Sequence, residues 1–192
     1  MKSRFIAATL SALLLTGASA LAQSTSWAID SNHSQVNFQV RHMGVSTVRG
    51  SISGISGTIL WDDKDVAKSK VEATMTTSTV STNNEKRDAD LKSDHFFDVT
   101  KYPTMTFKST SVSRVDGKLQ VVGDLTLNGV TRSETLEVDG PTAPQKGMGG
   151  KMVIGLSAKG TVKRSDFNFA SKYPAAVLGD EIPFTIDVEA DQ

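Results

Sequence analysis

Thr82–Phe107, TNNEKRDADLKSDHFFDVTKYPTMTF, is an internal stretch that does not read as strand, whereas the long runs on either side of it do. Thr82 followed three residues later by Glu85 has the form of a capping box, in which the hydroxyl takes an orphan amide of the first turn and the carboxylate reaches back. A short helix is therefore predicted to start there. Its apolar residues are Ala89 and Leu91 alone, and a helix of so few turns is marginal in water unless it docks. Phe96 and Phe97 are the predicted dock. Tyr102 must be extended, because Pro103 disfavours the α region for the residue before it, and from Thr104 the strand pattern resumes. The stretch reads as a short helix and an aromatic plug laid across one end of a β structure.

On the N-terminal side, Trp27–Asp30 reads as a short strand. In Ser34–Met43, Val36, Phe38, Val40 and His42 alternate with Gln35, Asn37, Gln39 and Arg41, the period-two pattern of a strand with one buried face. Residues 45–60 are β-prone but carry Gly50, Gly54 and Gly57, which inside strands mark bulges or close backbone approaches. In Lys70–Thr76 the alternating set is Val71, Ala73 and Met75. On the C-terminal side, Met105 and Phe107 continue the pattern. Asp116-Gly117 joins residues 109–115 to 118–127, and Asn128-Gly129 joins the latter to 130–138; both dipeptides favour the positive backbone angles of two-residue hairpin turns. Residues 140–150, with Pro141, Pro144 and four glycines, read as a mobile surface loop. Residues 151–163 alternate Met152, Ile154, Leu156 and Ala158, and residues 181–189 alternate Ile182, Phe184, Ile186 and Val188. Arg164–Asp180 between them is irregular.

About eight amphipathic, mostly hairpin-connected strands with no βαβ pattern predict an all-β antiparallel fold, either a sandwich or a barrel. The barrel is favoured, because closure removes exposed edges and about eight strands enclose room for one small ligand.

The chain has 192 residues, enough for one domain. Lys2 and Arg4, the apolar run Phe5–Leu15 and the small-residue site Ala20-Leu21-Ala22 have the form of a secretory signal peptide, so residues 1–22 are expected to be removed and 23–192 to form the barrel domain. The apolar run is too short to span a membrane, and no further span is expected after cleavage. With 21 basic and 21 acidic residues the charge is balanced, which argues against nucleic acid or an anionic membrane surface as partner. There is no cysteine, hence no disulfide, thiol nucleophile or lipidation site.

The inward rows consist mostly of Val, Ala, Ile, Leu and Met, and aromatics are 6 % of the chain. Such a lining fills a barrel less completely than an aromatic one. An apolar cavity and an interdigitated solid core both remain open at this point. A cavity of this kind would suit a hydrocarbon chain, since each buried methylene contributes about 0.8 kcal/mol.

Candidate chemistry is sparse. His33, His42 and His95 are spread along the chain without the convergent spacing of a metal site, and neither a metal nor a cofactor is expected. His42 shares the inward parity. No G-x-S-x-G elbow is present, and Asp62-Asp63 and Asp88/Asp90 sit in polar surroundings that suggest solvated faces. Arg87 and Asp88 in the predicted helix, and Arg164 and Asp166 after a long strand, are candidates for contacting a polar headgroup, arginine being suited to bidentate hydrogen bonds. The alternative for each is a surface ion pair.

The run LKSDHFFDVTKYPTMTF resembles the signature of the YceI-like family, and other motifs agree with it in order: Trp27-Ala28-Ile29-Asp30 with His33-Ser34, Val48-Arg49-Gly50, Arg87-Asp88 with Leu91, residues 123–131 (GDLTLNGVT), and Arg164-Ser165-Asp166-Phe167. The resemblance covers Trp27 to Ala190. It departs from the family pattern at Ile52 and Ile55, where aromatics are common, at Asn128 in place of histidine, and at Asn168 in place of glycine. Asparagine tolerates a left-handed backbone, so the last change should preserve the turn.

The resemblance implies a lipocalin-like extended barrel, periplasmic or secreted, that holds a long-chain isoprenoid or similar amphiphilic lipid and carries no catalytic residues. By parity the tail would meet Val36, Phe38, Val40, His42, Val71, Ala73, Met75, Met105, Phe107, Val121, Ile154 and Leu156, under a lid of Phe96 and Phe97. Two other readings stay open: an enzyme acting on an isoprenoid or quinone head, and a stress-related structural protein with a filled core. A homodimer through exposed hairpin edges or an apolar mouth is a further expectation.

Overall fold

Alternating apolar side chains require a sheet with one face turned inward, and eleven strand segments supply it. The computed structural model describes residues 24–192, so the expected signal peptide, residues 1–22, lies outside the described residues. The segments are β1 (Thr25–Ile29), β2 (Gln35–His42), β3 (Ser46–Ile52), β4 (Ile55–Trp61), β5 (Lys70–Thr76), β6 (Thr104–Val115), β7 (Lys118–Leu127), β8 (Val130–Asp139), β9 (Gln145–Lys146), β10 (Met152–Lys163) and β11 (Glu181–Asp191). One α-helix, α1, spans Glu85–Lys92. No helix among the described residues is long and apolar enough to cross a membrane.

The register merges these segments into fewer, longer strands. β1 and β2 both lie antiparallel to one edge of β11, and they pair with β4 and β3 in turn, so β1/β2 and β3/β4 behave as two long strands that bend in the middle. With β5, β6, β7, β8, β10 and β11 this makes a closed antiparallel circuit of eight, sealed where β11 meets β1/β2. At the bend between β1 and β2 the Ser34 hydroxyl stands in for the ladder, donating to the Glu189 carbonyl (3.3 Å) and accepting from the Glu189 amide (3.1 Å). Closure leaves only short or covered edges, which is why an amphipathic meander of this length ends as a barrel.

Both predicted hairpin turns form, with Asp116-Gly117 at φ 50° and 79° and Asn128-Gly129 at φ 52° and 74°. Gly50 and Gly160 face aromatic rings across the ladder: Gly50 pairs with Phe38 and Gly160 with Phe184, and a Cβ at either would overlap the ring. Each ring thus lies over bare backbone, which leaves the barrel centre freer than side chains at every position would.

Three local expectations are corrected. The helix is capped by Asn84, whose side chain accepts from the Arg87 amide at 3.0 Å, and not by Thr82; Thr82 is buried and bonded to Asp88 instead. Residues 140–150 are not a free loop, because Gln145 and Lys146 pair with Val153 and Met152 of β10 and the Thr142 amide donates to Gly155. Asp62, read as solvated, is 1 % exposed; it accepts from the amides of Lys64 and Asp65 and thereby folds the β4–β5 connection over the base of the barrel.

Candidate ligand cavity

The chain crosses one end of the barrel twice. The first crossing, residues 77–103, holds α1 and the Phe96-Phe97 pair; the second, residues 164–180, begins in a short 3-10 turn at Arg164–Phe167. They meet through aromatic rings: Phe96 stacks on Tyr173 (centroids 5.4 Å apart) and tilts against Phe169 (6.1 Å), and Phe97 meets Phe169 edge-on (4.8 Å). Edge-to-face and offset contacts of this kind contribute about 0.5–1.5 kcal/mol each beyond area burial. The lid is therefore a joint between two crossings. The sequence pattern located one half of it, and Phe169 and Tyr173 lay unrecognised in the irregular stretch.

Beneath the lid the barrel is hollow. The cavity measures about 260 Å³. On the same measure a single water needs about 10–15 Å³, so the space is on the order of twenty times larger. Its walls run from Trp61, Leu119 and Val138 near the base to Leu91, Phe97, Phe169 and Leu178 under the lid, and apart from Ser69, Glu134 and Arg164 every lining residue is apolar. Leu91 on this wall is what docks α1, whose other residues are almost all polar.

Most of the positions selected by parity line this space. Val36, Phe38 and Val40 on β2, Val71, Ala73 and Met75 on β5, Met105 and Phe107 on β6, Val121 on β7 and Leu156 on β10 all do, as do Phe96 and Phe97. Two do not. His42 is exposed at the tip of β2, where the wall has ended and the inward parity has no interior left to face. Ile154 is 2 % exposed but belongs to the packed base, where it pairs with Ala190 beside Ile29. Ile59, Leu125, Leu127, Ala158, Phe184 and Ile186 also line the cavity; their alternation was visible in the sequence.

The four headgroup candidates fare differently. Arg164 reaches the cavity wall yet is 5 % exposed and has its guanidinium committed to backbone: Nη1 donates to Ala170 (2.9 Å) and Phe169 (3.3 Å), Nη2 to Tyr173 (2.6 Å) and Leu178 (2.9 Å), and Nε to Gly179 (3.2 Å) and Leu178 (3.3 Å). Arg87 donates from Nε to the Thr82 hydroxyl (2.7 Å) and from Nη2 to the Thr82 carbonyl (2.9 Å), away from the cavity lining. Asp88 accepts from both the amide (2.8 Å) and the hydroxyl of Thr82. Desolvation pushes the Asp88 pKa up, but those hydrogen bonds together outweigh it and hold the carboxyl below its ordinary value. Asp166 is exposed and does not line the cavity.

Glu134 is the charged wall residue that sequence reasoning passed over. It shares the parity of Leu136 and Val138 on β8, which was the available signal. Burial chiefly, and the nearby charge of Asp166 secondarily, hold its pKa above the ordinary glutamate value.

Among the described residues, the group nearest to a metal-ligand arrangement is Asp30, His33 and Glu189 at the β1–β2 bend, outside the cavity. His33 Nδ1 lies 2.7 Å from Asp30 Oδ2, and that hydrogen bond, then the Asp30 and Glu189 charges, raises the His33 pKa. His95, exposed, pairs with Asp90 at 3.2 Å.

Comparison with known proteins agrees with this architecture. The YceI-like domain model matches residues 27–190. Protein YceI of Shigella flexneri is 37 % identical over 192 residues, spanning 100 % of this chain and 99 % of its own length. Among solved structures, the YCEI protein of Campylobacter jejuni superposes with a TM-score of 0.69 at 36 % identity, covering 79 % of this chain and 89 % of that one. A polyisoprenoid binding domain from Saccharophagus degradans shares the fold, with a TM-score of 0.62 at 16 % identity over 86 % of this chain and 97 % of that one. A family model that runs from the first strand of the barrel into the last, and a relative aligned end to end, establish that this protein belongs to the YceI-like family.

Proposed function

We propose that the protein binds a long-chain isoprenoid or related amphiphilic lipid in the barrel and carries or stores it across an aqueous compartment. The observation that carries this reading is the apolar cavity that extends from Trp61 near the base to the Phe96–Phe97–Phe169 lid. An elongated apolar wall stabilises a tail in proportion to its buried methylenes, about 0.8 kcal/mol each, and offers little to a polar solute. The polyisoprenoid binding domain of the same fold supports the choice of tail. The lid contacts are ring against ring, so a tail can enter when they part without breaking a β ladder.

Carriage implies a place to carry through. The N-terminal features at Lys2, Arg4, Phe5–Leu15 and Ala20-Leu21-Ala22 support export to the periplasm, where a lipid tail needs shielding between membranes. The reading is one of binding rather than turnover: of the three polar residues on the wall, Arg164 is committed to backbone carbonyls and the Ser69 hydroxyl accepts from the Asp62 amide at 3.0 Å.

Organic extraction of the protein purified from the periplasmic fraction of its host, followed by mass spectrometry, tests this. A stoichiometric lipid with a long unbranched or isoprenoid tail is the expected result. Recovery without lipid, together with no binding of added isoprenoid alcohol, would overturn it.

A further inference from the structure

Among the described residues, Glu134 is the one acidic side chain on the cavity wall. Its position is set by a gap in the barrel. β10 is bonded to β11 through eleven residue pairs, Val153–Lys163, but to β8 through three, the last being Glu137 with Lys159. From Leu136 towards the lid β8 continues without a ladder to β10, and Glu134 lies on that continuation, opposite Gly123 of β7. Among the described residues no cation is paired with it. Arg164, the other charge on the wall, has its donors committed to carbonyls of the second crossing, and the charge that acts on Glu134 is Asp166, another carboxylate. Glu134 is half-buried, and a carboxylate held against apolar surface without a protein donor gives up part of its hydration with no bond in return. A ligand that brings a donor would remove that deficit.

We infer that Glu134 selects the headgroup of the bound lipid, accepting hydrogen bonds from a hydroxyl or amine head at the β8–β10 gap and turning away phosphate and carboxylate heads. The inference rests on the lipid-binding reading above and adds the chemistry of the head to it. The tail supplies the same affinity whatever the head, so discrimination comes from the gap. There a donor satisfies an acceptor that has no protein partner, whereas an anion meets the negative charge of Glu134, with that of Asp166 close by. Specificity of this kind works by rejection as much as by attraction. The raised Glu134 pKa is consistent with it, since the site already disfavours negative charge.

Three probes with one tail separate head from tail: geranylgeraniol, geranylgeranylamine and geranylgeranyl diphosphate. Binding is read by quenching of tryptophan emission, since Trp61 lines the cavity, and checked by calorimetry. The wild-type protein is expected to bind the alcohol and the amine at least about tenfold more tightly than the diphosphate. Glu134→Gln, which keeps the shape, is expected to lose most of the preference for the amine while retaining the alcohol. Glu134→Leu is expected to bring the three affinities within about threefold of one another, by removing both the acceptor and the repulsion. Unfolding curves of both variants confirm that the barrel is intact. Equal binding of the three probes by the wild type, or unchanged ratios in both variants, would overturn the assignment of Glu134 and leave lipid binding standing. Failure of the wild type to bind any of the three would overturn both.

Discussion

The two crossings that close the lid are each knotted around one charged side chain, and the knots are built in opposite ways. In residues 77–103 the centre is an acid: Asp88 accepts from the amide and hydroxyl of Thr82, and Arg87 returns two donors to the same residue. In residues 164–180 the centre is a base: Arg164 spreads its donors over the carbonyls of Phe169, Ala170, Tyr173, Leu178 and Gly179. The first crossing pairs its backbone through α1 and the bonds that follow it, the Phe97 amide to the Leu91 carbonyl and the Val99 amide to the Lys92 carbonyl, so one carboxylate is enough to fasten its start. The second has no helix beyond a single turn, and without the guanidinium the carbonyls of Phe169, Tyr173, Leu178 and Gly179 would lose their partner, Ala170 alone also accepting from the Tyr173 amide. All of these charges look from sequence like groups waiting for a ligand, and the backbone has already taken them. The wall charge without such a partner, Glu134, is on a strand.

The comparison breaks most visibly at Arg164. Arg164→Ala strips the second crossing of its donors and is expected to lower stability by about 3 kcal/mol or more in urea unfolding, with the 164–180 segment becoming the first site of proteolysis. Arg164→Lys should recover little, because a single ammonium cannot fan out over five carbonyls. Asp88→Asn should cost less, about 1–2 kcal/mol, since the amide keeps one acceptor. Its deficit also depends on pH: the folded-state pKa of Asp88 is depressed, so its contribution is present above its ordinary value of 3.8 and is lost as pH falls through the lower folded value. Wild-type and variant melting temperatures should therefore converge in acid.

Glu134 should show the opposite sign. Its folded-state pKa is raised, so the ionised carboxyl is a liability that is full above the folded value and is relieved as pH falls through it towards the ordinary value of 4.5. Glu134→Gln is expected to raise the melting temperature of the ligand-free protein at pH 7 and to change it little in acid. The smallest effect belongs to His33, exposed at the bend between β1 and β2. Its pKa is raised first by the hydrogen bond to Asp30 and then by the Asp30 and Glu189 charges, so its contribution is complete below 6.5 and disappears as pH rises through the folded value. His33→Asn should flatten a slight loss of stability as pH rises above 6.5, measured by thermal unfolding.

The barrel was legible because its signals are local. The alternation of Val36, Phe38 and Val40, or of Val71, Ala73 and Met75, follows from the strand repeat of two, and Asp116-Gly117 and Asn128-Gly129 mark turns through their own backbone preferences. Parity misplaced two residues near strand ends: His42 has no interior left to face, and Ile154 faces inward but into the packed base rather than the cavity. Thr82 misled because a capping box is a pattern of spacing, and Asn84, two residues on, makes the same contact in the helix that forms. Phe169 and Tyr173 were hidden because residues 164–180 have no periodicity.

Alternation and turn residues thus pointed to an antiparallel β fold, with a barrel favoured over a sandwich, and to most of its apolar wall, since each depends on neighbours one or two positions away; the family was legible only through the longer motifs, such as residues 91–107. Whether the centre is hollow, which aromatics close it, and which charges remain free depended on the folded chain. Those outcomes are settled by side chains that meet across loops, as Arg164 does with Tyr173 and Phe96 with Phe169, and by a ladder between β8 and β10 that stops after three pairs.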